Sequence, residues 1–157
     1  MAYKTINTKG FALKYGIGIA VACIAFFLIM GLFNLHFEVQ LSLINAVIVA
    51  LGIFFVIRNY RKAKDQNNER LQYLEGLGLG FLTSLVAAIL VAGFVLLYAL
   101  FISDNFLDQT NANEFLGEEL SYFSMVGYVL IEVLISGGIA GFVFMQLYKP
   151  ANHKITA

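Results

Sequence analysis

Residues 53–80 read IFFVIRNYRKAKDQNNERLQYLEGLGLG. An apolar run ends at Ile57, and four cations (Arg58, Arg61, Lys62, Lys64) follow within the seven residues 58–64. A polar stretch then leads to a new apolar run at Leu77. This is the pattern of a short basic connection between two hydrophobic spans, and the rest of the chain repeats its logic. Lys4, Lys9 and Lys14 stand at the start of an apolar run over 11–33, and Lys149 and Lys154 follow another over 122–148. Arg70 completes the basic set. The remaining connections, 34–40 and 103–121, contain no Lys or Arg. Because Lys and Arg accumulate on the cytoplasmic side of membrane proteins, the asymmetry predicts four spans with both termini in the cytoplasm.

Span length agrees. The four runs cover about 11–33, 39–57, 77–102 and 122–148, each near or above the roughly 20 residues a helix needs to cross the hydrocarbon core. A helix of a soluble bundle carries a polar face; these runs are apolar all round. The chain is 60% hydrophobic and 13% charged, against about 25% charged in soluble domains. The fold expected is therefore all-α, a single four-helix transmembrane bundle over residues 1–157 with antiparallel neighbours. The first run is too long for a signal-peptide core and is followed by no small-residue cleavage pattern, so it reads as a retained span. Tyr15, Tyr60, Tyr73 and Tyr148 at the inner ends, and Tyr98 and Tyr122 at the outer ends, suit an aromatic belt at headgroup level.

The second outer connection, 103–121, is acidic. Asn111 followed by Glu114 forms a capping-box pattern, and Phe115, Leu116 and Leu120 recur at helical spacing, so a short amphipathic helix is expected there. It lacks the alternating acids of a calcium loop and reads as a solvated segment or a docking surface for a positively charged partner. YGIGIA (15–20) and EGLGLG (75–80) form an internal echo, which would correspond to a parallel repeat about the membrane normal.

Small residues recur every four positions in the third span at Gly76, Gly80, Ser84, Ala88 and Ala92, and the fourth span offers Gly137 and Gly141. Such stripes let helix backbones approach closely in lipid, where packing replaces the hydrophobic force. They fit packing within one chain better than a surface for another subunit. Glu132 is the one ionisable side chain deep in a span, about ten residues from its outer end, or roughly 14 Å at helical rise. Asn45 and Tyr98 are nearest in depth. A buried acid is costly and faces the protein interior, so Glu132 reads either as a hydrogen-bonded structural group, or as a proton- or cation-handling group, or as a contact to another subunit. Arg58, Arg61, Lys62 and Lys64 set the topology and would attract anionic lipid headgroups.

Other chemistry finds no support. The single cysteine, Cys23, rules out a disulfide within the chain. No cysteine–histidine cluster suits zinc, and His36 and His153 fall on opposite sides. Catalytic motifs are missing, and no extended basic surface suits nucleic acid. The reading is of a non-enzyme without a cofactor. Its partners would be the lipid bilayer and another membrane protein subunit; the alternative is a homo-oligomer acting as a small transporter or channel.

The exit IRNYRKAK from span two and the entry LQYLEGLGLGFLTSLVAA to span three resemble an uncharacterised family of four-span inner-membrane proteins of Bacteroidetes, domain of unknown function family 4199. The resemblance is specific over about residues 52–84, and the long acidic outer loop departs from the family pattern. It implies a bacterial inner membrane and four helices, and it carries over no catalytic or binding residue.

Overall fold

The computed structural model describes residues 7–33, 39–101 and 121–148. These form four helices: α1 (Thr8–Leu32), α2 (Val39–Gln66), α3 (Tyr73–Phe101) and α4 (Tyr122–Leu147). All four are long and apolar enough to cross a membrane, which makes the chain a multi-pass membrane protein. The proposed helix within 103–121 lies outside the described residues, as do His36 and His153.

Local sequence explains the helix ends. The Asn7 side-chain oxygen accepts from the Gly10 N–H at 3.0 Å, capping α1. The Ser121 hydroxyl accepts from the Ser124 N–H at 3.3 Å, capping α4. At the end of α2, Asn68 adopts φ 56°, a left-handed conformation that asparagine tolerates. There the Glu69 N–H donates to the Lys64 carbonyl at 3.0 Å and the Asn68 N–H to the Asp65 carbonyl at 3.1 Å. This is the Schellman arrangement that reverses a chain sharply.

Helix α2 continues nine residues beyond Ile57. Arg58, Arg61, Lys62 and Lys64 favour helix, Arg61 and Asp65 pair four residues apart at 3.9 Å, and Tyr60 is drawn into the interior at 1% exposure. Tyr60 therefore leaves the aromatic belt in which the sequence placed it.

The helices form a ring in the order α1, α3, α4, α2, with α3 against α4 and α1 against α3 the most extensive contacts. Thr8, Tyr60, Glu75 and Gln146 all meet at one end, so α1 and α3 run parallel, as do α2 and α4. This corrects the expectation of uniformly antiparallel neighbours. It also does not fit a parallel repeat about the membrane normal. A twofold along the bundle axis would exchange diagonal helices, and the diagonals here are α1 with α4 and α2 with α3.

Glycine sets the packing distance. A Cβ on Gly137 would lie 2.2 Å from the Ser84 Cβ, and one on Gly16 would lie 2.9 Å from the Thr83 carbonyl oxygen. Gly80 and Gly141 face each other across α3 and α4, where a Cβ on Gly80 would come within 3.3 Å of the Gly141 Cα. Gly76 lies against Met145, and Ala88 is fully buried. The stripe read from the sequence thus lies at contacts inside this chain. The hydroxyls buried with it are satisfied by their own helix: Thr83 donates to the Leu79 carbonyl at 2.7 Å and Ser84 to the Phe81 carbonyl at 2.9 Å. Large apolar side chains such as Val21, Val47, Ile89 and Ile131 project outward, as a bilayer requires and an aqueous surface does not.

Candidate functional site

Every Lys and Arg among the described residues sits at one end of the bundle, together with Asp65, Glu69 and Glu75. The apolar runs of the sequence stop before this region, ending at Ile57 on α2 and beginning at Leu77 on α3. Two turns of α2 beyond the span bring Asn59, Tyr60, Arg61 and Lys64 level with the start of α1 and α3.

Tyr60 is the centre. Its hydroxyl donates to Glu75 Oε1 at 2.5 Å. A phenol has one proton to give, so Thr8 Oγ1, 2.8 Å away, is the donor to the Tyr60 oxygen. Lys64 Nζ reaches the same Glu75 oxygen at 3.0 Å and Glu69 Oε2 at 2.7 Å. The chain of bonds Thr8 to Tyr60 to Glu75 to Lys64 to Glu69 ties α1, α2 and α3 together. Asn59 donates to the Tyr15 hydroxyl at 2.7 Å, joining α2 to α1. Gln146 donates to the Tyr73 hydroxyl at 3.2 Å, joining α4 to α3. The Arg61 guanidinium lies 4.9 Å from the Tyr148 ring centre, joining α2 to α4. This end of the bundle is thus clasped by polar contacts that reach all four helices.

The electrostatics are closed. Burial alone would raise the Glu75 carboxyl, but hydrogen bonds from Tyr60 and Lys64, and the Lys64 charge, outweigh it and hold the group below its ordinary value. The Lys64 ammonium is raised by its hydrogen bonds to Glu69 and then to Glu75. Its side chain is only 15% exposed, so it is turned into the protein. Of the four cations read as facing lipid headgroups, Arg58 lies over the Phe54 ring, Arg61 over Tyr148, Lys64 in the clasp, and Lys62 is exposed.

The polar groups within the spans are sparser. Glu132 is half-buried on α4. Tyr98 packs edge-on against Phe27 with ring centres 5.2 Å apart. Asn45 has a buried side-chain oxygen with no hydrogen-bond partner among the described residues. That oxygen is therefore not what holds Glu132. No group of three His, Cys, Asp or Glu side chains that could hold a metal exists among the described residues.

Glu75 stands in the first turn of α3, where the helix dipole favours an acid. Sequence reasoning missed that Tyr60 and Lys64, four residues apart on one face of α2, converge on that acid. The available signal was this spacing, together with a helix running past its apolar segment. Thr8 and Asn59 carried no signal of their own.

A ring of four lipid-facing helices, glycine-packed within and clasped by polar groups at one end, defines a polytopic membrane bundle. The chain belongs to the family described as protein of unknown function (DUF4199), whose model matches residues 14–149. No curated protein matches the chain, and no solved structure does.

Proposed function

We propose that this chain is a non-catalytic accessory or structural subunit of a larger complex in a bacterial inner membrane, with both termini cytoplasmic. The observation that carries the reading is where its glycines point. Gly76, Gly80, Gly137 and Gly141 are taken up by contacts inside the bundle, whereas Gly78 and Gly93 on α3 and Gly127 and Gly138 on α4 have open space where a Cβ would stand. Small outward residues let a further helix come close in lipid. The basic end sets the orientation, and the acidic 103–121 segment would face the other side.

A second reading keeps one observation of its own: the unpartnered Asn45 oxygen in the same membrane as Glu132. In an oligomer these could line a path for a proton or small cation. Ion flux into liposomes separates the two. Purified protein at high copy number should pass no more protons or monovalent cations than empty liposomes. A flux above that level, abolished by Glu132→Gln, would replace the subunit reading with the transporter.

A further inference from the structure

A groove of about 540 Å³ opens between α1 and α2, within the roughly 300–1,000 Å³ of ligand sites. Its floor and walls are apolar, formed by Gly18, Ile19, Ala22, Ile48, Gly52 and Phe55. Its polar groups, Lys14, Tyr15 and Asn59, stand where those two helices reach the clasped end. No acid lines it. We propose that this groove holds one acyl chain of an anionic phospholipid, with the lipid phosphate at Lys14 and Tyr15.

Three features argue for that occupant. The first is charge. Lys14 forms no ion pair among the described residues, whereas Lys64 and Arg61 both do. A long lysine stem can lie along the apolar wall with its ammonium at headgroup level. The second is the free donor. Asn59 donates to the Tyr15 oxygen, which leaves the phenol proton itself without an acceptor among the described residues. An ammonium and a hydroxyl donor lining the same groove suit a phosphate diester. The third is depth. From Asn59 to Ile48 along α2 is eleven residues, or about 16 Å at helical rise. Half of a roughly 30 Å hydrocarbon core is about 15 Å, so the groove is one leaflet deep. Its openness depends on glycine. A Cβ on Gly18 would meet nothing within 4 Å, so a larger side chain there enters the groove without striking the fold.

Native mass spectrometry of the delipidated full chain tests this, with dioleoyl phosphatidylglycerol and dioleoyl phosphatidylcholine titrated as probes. The wild type should retain one phosphatidylglycerol under conditions that release phosphatidylcholine. Lys14→Gln should weaken that retention about fivefold, the value of one cation near a lipid headgroup. Gly18→Leu should reduce it to the phosphatidylcholine level with an unchanged melting temperature, and Arg70→Gln, an exposed cation outside the groove, should leave it intact. Equal retention of the two lipids would overturn the proposal. So would insensitivity to Lys14→Gln, an equal loss in Arg70→Gln, a co-purifying neutral molecule in place of lipid, or a dimer that covers the groove. If Gly18→Leu fails to fold, the contrast between Lys14→Gln and Arg70→Gln decides alone.

Discussion

The clasped end and the middle of the bundle hold the same four helices together by opposite means. At the end, hydroxyls, two amides, a lysine and a carboxylate link the helices through directed bonds. In the middle, glycine and serine bring backbones together with almost no polar group between them. The difference follows the surroundings. Within hydrocarbon a polar link brings little beyond what packing supplies. Near the headgroups water competes for each bond, and a network with several members holds where a single pair contributes little.

The largest effect should come from closing the glycine contact. Gly137→Leu drives a side chain into Ser84, and overpacking of this kind costs about 3 kcal/mol. Gly138→Leu, one residue on and facing open space, should change stability by less than about 0.5 kcal/mol. Unfolding in mixed micelles measures both, and equal effects would break the distinction between inward and outward faces. Next comes the clasp. Glu75→Gln keeps the shape but removes the charge that accepts from both Tyr60 and Lys64, a loss of about 2 kcal/mol. Tyr60→Phe deletes one hydroxyl that joins α2 to both α1 and α3 and should cost about 1 kcal/mol. If Tyr60→Phe were as damaging as Gly137→Leu, the polar end rather than the packed middle would dominate.

The clasp also carries a pH signature. The Glu75 carboxyl is held below its ordinary value of 4.5, so its contribution is complete above that pH and is lost as pH falls through the lowered folded value. The Lys64 ammonium is raised above 10.5, so its contribution is complete below that pH and fades as pH rises beyond it. Melting temperature followed between pH 6 and 3, roughly the window in which a lowered carboxylate is titrated, should fall less steeply in Glu75→Gln than in the wild type. Parallel curves would show that Glu75 does not govern the acid limb. The smallest effect belongs to the rim. Arg61→Ala removes an exposed 3.9 Å pair with Asp65 and should cost no more than about 1 kcal/mol.

The same contrast explains what could be read from the sequence. The Gly76, Gly80, Ser84, Ala88 stripe was legible because close helix packing repeats every turn of one helix and leaves its period in the chain. The four spans were legible because lipid imposes length and apolarity on each helix separately. The clasp was not, because it joins Thr8, Tyr60 and Glu75 from three helices, and no local pattern records a contact over 52 residues. The ring order escaped for a related reason. A short connection between α2 and α3 reads as a side-by-side pair, yet the two sit diagonally while α1 packs beside α3. Glu132 stood out because it is the lone acid of its span.

The most direct test of the account is to purify the tagged chain from its native membrane in mild detergent and weigh what remains bound. The subunit reading requires other membrane proteins at fixed stoichiometry, released by bulky substitutions at outward glycines such as Gly93→Phe or Gly138→Phe while the chain itself stays folded. Recovery of the chain alone, or only with copies of itself, would contradict it.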